Sequence, residues 1–131
     1  VLWDLRTSSA VRTFEVTQGE HVTGVHLSPD SHEAVCTSIN GIMRHVDMSS
    51  GRIIAAVQAA DALYCCSTDG YSAVCGGSGG VVSTWDLRTC VQTSTIDTGI
   101  NCDITSLDIS ATGQHLATGN RNKDTHAWSY M

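Results

Sequence analysis

The chain has 131 residues, 41% of them apolar and 15% charged, and its 13 acidic against 7 basic residues leave a net charge of −6. The Lys and Arg residues are scattered singly, which argues against a surface for binding nucleic-acid phosphates. No apolar run approaches the roughly 20 residues a membrane helix needs, and no signal-peptide pattern opens the sequence.

In chain order, residues 1–5 read as the end of a strand and 10–16 as the strand that follows, with the turn Thr7-Ser8-Ser9 between them. Val22, Val25 and Leu27 give an imperfect alternation over 22–27. Ser28-Pro29-Asp30 suits a type I turn, with proline at its second position. Further strands are predicted over 33–37, 42–48 and 53–59. Asn40-Gly41 joins the first two and predicts a type I′ hairpin with positive φ at both residues. The order recurs over 63–67, 72–76, 81–87 and 91–96, and again over 104–109, 115–118 and 125–130. All strands, glycine at the turns and a single proline at a turn make the chain all-β.

The same pattern is a repeat. Trp85-Asp86-Leu87-Arg88-Thr89 duplicates Trp3-Asp4-Leu5-Arg6-Thr7, and the segment that runs Ala73-Val74-Cys75 to Trp85 has a counterpart in Ala34-Val35-Cys36 to Val46-Asp47. Leu116-Ala117-Thr118-Gly119 to Trp128 is a third copy. Trp3, Val46, Trp85 and Trp128 stand 43, 39 and 43 residues apart, and the turn landmarks Ser28, Ser67 and Ser110 stand 39 and 43 apart. Steps of about 40 to 45 residues ending in Trp-Asp resemble the WD-repeat family over the whole chain.

That resemblance implies a partial WD-repeat β-propeller of four-stranded antiparallel blades. On this reading residues 1–16 end one blade, 22–59 and 62–96 form one blade each, and 104–131 form a blade lacking its last strand. Trp3, Asp4, Val46, Asp47, Trp85, Asp86 and Trp128 are the repeat-signature positions. About three blades leave apolar faces uncovered, so further blades or a partner are expected, and the chain alone is expected to be a poor monomer. The resemblance also implies a His, Ser/Thr, Asp and Trp network within each blade. Here the Asp position holds Asn40, Gly79 and Asn122, the Ser/Thr position holds Cys36, Cys75 and Thr118, and His21 is out of register, so no blade has the full set.

Candidate chemistry is sparse. Of Cys36, Cys65, Cys66, Cys75, Cys90 and Cys102, no two form a Cys-x-x-Cys pair, and four lie in apolar strand segments as small hydrophobes. Adjacent Cys65 and Cys66 point to opposite faces of a strand and cannot hold one ion together. Free strand cysteines favour a reducing compartment, cytoplasm or nucleus. The run Gly76-Gly77-Ser78-Gly79-Gly80 lacks the Lys-Ser/Thr of a phosphate loop and leads into a strand, so it is a hairpin turn. No histidine and carboxylate fall in a catalytic motif, and His26 and His45 read as structural strand residues. We expect no enzyme activity, cofactor, metal or small-molecule substrate.

The family resemblance implies recognition of peptides or proteins through loops on one rim, which here hold Gln18, Glu20, Ile39, Asn40, Asp61, Ser78, Asn101, Asp103, Arg121 and Asn122. The expected role is a non-catalytic scaffold subunit of a multiprotein assembly. One alternative is a substrate receptor of a cullin ubiquitin ligase, since Trp-Asp-x-Arg resembles an adaptor-docking box and would nominate Asp4, Arg6, Asp86 and Arg88. Another is a subunit of an RNA-associated complex, which the acidic charge disfavours unless further blades are basic.

Overall fold

The computed structural model describes residues 1–15 and 19–121, with Thr125–Ser129 as backbone alone. Its strands are β1 (Leu2–Asp4), β2 (Ser9–Arg12), β3 (Val22–Leu27), β4 (Glu33–Ser38), β5 (Ile42–Asp47), β6 (Ile53–Gln58), β7 (Leu63–Thr68), β8 (Ser72–Gly77), β9 (Val81–Asp86), β10 (Val91–Asp97), β11 (Ile104–Ile109), β12 (His115–Asn120) and β13 (Thr125–Ser129). They form four antiparallel meanders, β1-β2, β3-β4-β5-β6, β7-β8-β9-β10 and β11-β12-β13, each strand beside its sequence neighbour. Of the strand predicted over 10–16, pairing with β1 stops at Arg12 opposite Leu2, and residue 16 lies outside the described residues.

Burial follows position within each sheet. The middle strands β4, β8 and β9 are buried along most of their length, whereas the outer strands β6 and β10 alternate or lie open. A strand covered on both faces reads as a continuous apolar run, which is what Ala34-Val35-Cys36 and Ala73-Val74-Cys75 show. The sheets stack face to face. Val35, Met43, Leu63, Cys66, Ala73, Cys75, Trp85 and Leu87 fill the space between the second and third sheets. Cys65, Val74, Val82, Ile104, Ile109 and Leu116 fill the space between the third and fourth. Cys65 and Cys66 therefore do take opposite faces. Burial pushes their thiols up to about 11 and about 12, and raises that of Cys75 well above its ordinary value, so all three are neutral small hydrophobes.

The aspartate of the repeated motif closes a turn. Asp4, Asp47 and Asp86 each accept a hydrogen bond from the backbone N–H two residues on, at Arg6 (2.9 Å), Ser49 (3.4 Å) and Arg88 (2.8 Å). Hydrogen bonds from Ser50 and then Ser49 hold the Asp47 carboxyl below its ordinary range. The second and third of these turns end alike, with the N–H of Gly51 or Cys90 donating to the carbonyl of Asp47 or Asp86 at 2.8 Å. Gly51 has φ 73° there and Cys90 has φ 59°. The left-handed region costs a residue with a side chain about 1–2 kcal/mol. Cys90→Gly relieves that strain but loosens the unfolded chain, so we expect a net gain of about 0.5–1 kcal/mol. A denaturant melt of the variant measures it, and an unchanged or lower midpoint would count against the turn geometry.

Two expectations need correction. Asn40-Gly41 is not a type I′ turn: the Gly41 N–H donates to the Ser38 carbonyl at 3.0 Å, and positive φ is confined to Gly41. The loop Ile39-Asn40-Gly41 is three residues long, the form in which a turn is followed by one left-handed residue. Gly79 and Gly80, at the matching hairpin, both have positive φ. Second, Ser67 is not a turn residue equivalent to Ser28 but lies inside β7. The inner strands β3, β7 and β11 begin at 22, 63 and 104, an even step of 41. The unequal spacing of the tryptophan positions arises because the turn after β7 is two residues shorter than those after β3 and β11.

Candidate interaction face

The loops between the first and fourth positions of neighbouring sheets meet the hairpins between their middle strands at one end of the stack. The Ser78 N–H donates to the Ala62 carbonyl at 3.1 Å, the Ala59 N–H to Gly41 at 2.8 Å, and the Thr98 N–H to Gly80 at 3.1 Å. The approach is close enough that a Cβ on Gly41 would lie 2.5 Å from the Asp61 carbonyl oxygen. The rim is thus a hydrogen-bonded surface.

Several rim residues are consumed by it. Asp103 accepts from Ser78 Oγ (3.3 Å) and the Gly79 N–H (3.2 Å), tying a hairpin to the following loop. Glu20 pairs with Arg44 at 2.9 Å, with side-chain exposures of 18% and 11%, an ion pair largely removed from water. Arg44 gave no signal in sequence, because nothing marks its side chain as rim-directed. Ile39, Asn40, Asp61, Asn101 and Arg121 are exposed, and the Asn40 backbone carbonyl accepts from Gln58 Nε2 at 2.8 Å. Gln18 and Asn122 lie outside the described residues.

The repeat-signature residues divide by environment. Trp85 is 6% exposed and its indole N–H donates to Ser83 Oγ at 3.3 Å, two residues back on its own strand. Val46 occupies the same slot, since Ala34 faces Val46 across β4–β5 as Ala73 faces Trp85 across β8–β9. Met43 points to the other face of the sheet, where it packs with Val35 and Trp85. Val46 instead lines an apolar groove of about 360 Å³ with Val1, Leu2, Phe14, Ala34 and Met48. Trp3 is 58% exposed. The backbone of Trp128 pairs with Leu116, and its side chain lies outside the described residues. Arg6 and Arg88 are exposed at the turns of the opposite end.

One polar constellation escaped the sequence. The Thr68 N–H donates to His26 Nδ1 (3.3 Å), His26 Nε2 lies 3.4 Å from Ser67 Oγ, and Ser67 Oγ donates to Asp108 (3.0 Å). With Nδ1 accepting, the proton sits on Nε2 and is shared with Ser67. These are the residue types of a nucleophilic triad in the wrong order, with serine in the middle and fully buried. The chain cross-links β3, β7 and β11. Its signal was the even step of 41 residues, masked by the turn landmarks. His45 Nε2 lies 2.7 Å from Glu33, while its buried Nδ1 has no partner. Among the described residues no three His, Cys, Asp or Glu side chains gather as a metal site, and no helix is long and apolar enough to cross a membrane.

No family model matches the chain. Solved structures do. A chain in the crystal structure of a mitotic checkpoint complex superposes with a TM-score of 0.84 at 20% identity, covering 97% of this chain and 39% of that one. The structures of U3-55K and of the RRP9 WD40 repeats each superpose with a TM-score of 0.79 at 15% identity, covering 90% of this chain and 38% of theirs. This chain thus spans about two fifths of the length of the chains it matches, and at these identities the likeness is one of fold. The meanders stacked face to face, the Trp-Asp strand ends and the turns they close are those of WD40-repeat blades in a β-propeller.

Proposed function

We propose that the chain is a non-catalytic protein-interaction scaffold, one part of the recognition surface of a larger assembly. The observation that carries this reading is the rim itself. Hydrogen bonds between loops and hairpins hold its backbone, while Ile39, Asn40, Asp61 and Asn101 remain exposed on it. A pre-ordered surface loses little entropy when a partner binds. The serine of the triad-like set is fully buried and spends its hydroxyl on His26 and Asp108 as a cross-link between sheets. A reducing compartment, cytoplasm or nucleus, suits four buried free thiols.

The test is end-specific. Asn40→Arg, Asp61→Arg and Asn101→Arg made together should abolish co-purification of the protein partner without shifting the thermal melt, since all three are exposed. Retained binding by the triple variant would remove the rim from consideration.

A second reading places docking at the opposite end, where the Asp4 and Asp86 turns present Arg6 and Arg88 outward in the same way. Arginine's planar fork suits carboxylate or carbonyl acceptors. In the ligase-receptor reading, Arg6→Ala with Arg88→Ala leaves the melt unchanged and abolishes pull-down of the cullin adaptor. An adaptor that never co-purifies with the unaltered chain sinks that reading.

A further inference from the structure

The Glu20–Arg44 ion pair has no counterpart in the next seam among the described residues, although the matching positions are there. Arg44 faces Cys36 across β4–β5 as Ser83 faces Cys75 across β8–β9, and Glu20 and Asp61 each stand two residues before an inner strand, β3 or β7. Ser83 and Asp61 are therefore the third sheet's equivalents of Arg44 and Glu20. In the seam between the first and second sheets, the Arg44 side chain crosses to Glu20 and pairs with it at 2.9 Å. In the seam between the second and third, serine stands in place of the arginine. A cavity of about 160 Å³ lies there between Asp61, Leu63, Val81, Ser83, Gln92 and Thr95. The Asp61 carboxylate has no hydrogen-bond or ion-pair partner among the described residues. The walls differ in the same sense: β10 presents Gln92 and Thr95 at the positions where β6 presents Ile53 and Ala56. Gln92 Nε2 donates to Thr95 Oγ1 at 2.6 Å, which leaves the amide oxygen as an acceptor. Among the described residues no Lys or Arg lines the cavity, and Asp103, which holds Ser78 at its edge, adds a second carboxylate.

We propose that this cavity binds an arginine side chain presented by an extended segment of a protein partner, which takes the place that Arg44 takes in the neighbouring seam. The guanidinium pairs with Asp61 and donates to the Gln92 amide oxygen, while its methylene stem lies on Leu63 and Val81. A cavity of this size admits a benzene-sized group, which is enough for the planar fork. Asp61 is exposed, so a side chain arriving from outside reaches it without the fold opening. An acidic or purely apolar segment fits less well, because the charges at the cavity are negative and would stay unpaired. Asp61 belongs to the rim, so the site rests on the recognition role proposed for that surface and adds the chemistry of what is recognised.

The probe is a peptide with one arginine among glycines, acetyl-Gly-Gly-Arg-Gly-Gly-amide, titrated into the isotope-labelled protein and followed through its backbone amide signals. Saturable shifts are expected at Asp61, Ser83, Gln92 and Thr95 and none at Glu20 or Arg44, which already satisfy each other. Citrulline in place of the peptide's arginine keeps the shape and loses the charge, and is expected to weaken binding about tenfold or more. Asp61→Asn should weaken it equally, while Asp61→Glu, which restores the carboxylate found at Glu20, keeps it. Ser83→Arg supplies the guanidinium from within and should abolish binding; if that variant does not fold, the two Asp61 variants decide. A probe that does not saturate overturns the site, as does undiminished affinity of the citrulline peptide or of the Asp61→Asn protein for its partner in the titration. Failure here is distinct from failure of the rim: a probe that does not saturate removes the arginine site alone, whereas partner binding retained by the triple rim variant removes both.

Discussion

Trp85→Ala is expected to lower stability by about 3–5 kcal/mol, the range for truncating a large buried aromatic in a core that cannot collapse around the loss. Trp85 sits among Val35, Met43, Leu63, Cys66, Ala73, Cys75 and Leu87, supplied by two different sheets, so the vacancy would open in the seam that joins them. The indole hydrogen bond adds little, because its partner Ser83 belongs to the same strand and is itself only slightly exposed. Val46→Ala removes two methyl groups from the equivalent slot of the preceding sheet and should cost about 1.5 kcal/mol. Val46 already borders an open groove, so its truncation encloses no new cavity. Urea melts of the two variants give the comparison through their midpoints. Equal losses would mean that the Trp85 seam is not a packed core.

The blades were legible in the sequence because their signals are local. Each Trp-Asp pair marks the end of a strand and the start of a turn, and the structure shows why: the carboxylate must reach the backbone N–H two residues on, as Asp4 and Asp86 do. Apolar runs at Ala34-Val35-Cys36 and Ala73-Val74-Cys75 likewise report burial on both faces directly. What connects one sheet to the next left no such trace. Arg44 is a strand arginine until the fold brings Glu20 to it, and Asp103 is a loop aspartate until the Ser78 hairpin arrives 25 residues away. The rim was therefore legible as a set of loops, while the division between loop residues spent on internal bonds and those left exposed required the fold. The misplacement of Ser67 has the same origin. A turn shortened by two residues shifts a turn ruler but leaves the inner-strand step intact, and only strand pairing distinguishes the two.

Gly80→Ala is the second large effect expected, and it tests the seam between hairpin and loop. Gly80 has φ 79°, where a side chain costs about 1–2 kcal/mol, and a Cβ there would run into the carbonyl of Ile100. That carbonyl belongs to backbone, so the loop itself must move. Moving it breaks the bonds that the Thr98 N–H (3.1 Å) and Thr98 Oγ1 (2.7 Å) donate to the Gly80 carbonyl, each worth about 1 kcal/mol. The sum is a loss of about 3–5 kcal/mol. Gly79→Ala is the control one residue away: φ is 71° there, but a Cβ would meet nothing within 4 Å, so only the conformational cost of about 1 kcal/mol applies. Denaturant midpoints of both variants separate the two costs. If Gly79→Ala and Gly80→Ala lose the same stability, the loop around Ile100 is not seated on the hairpin, and the rim on which partner binding is proposed is not a pre-ordered surface.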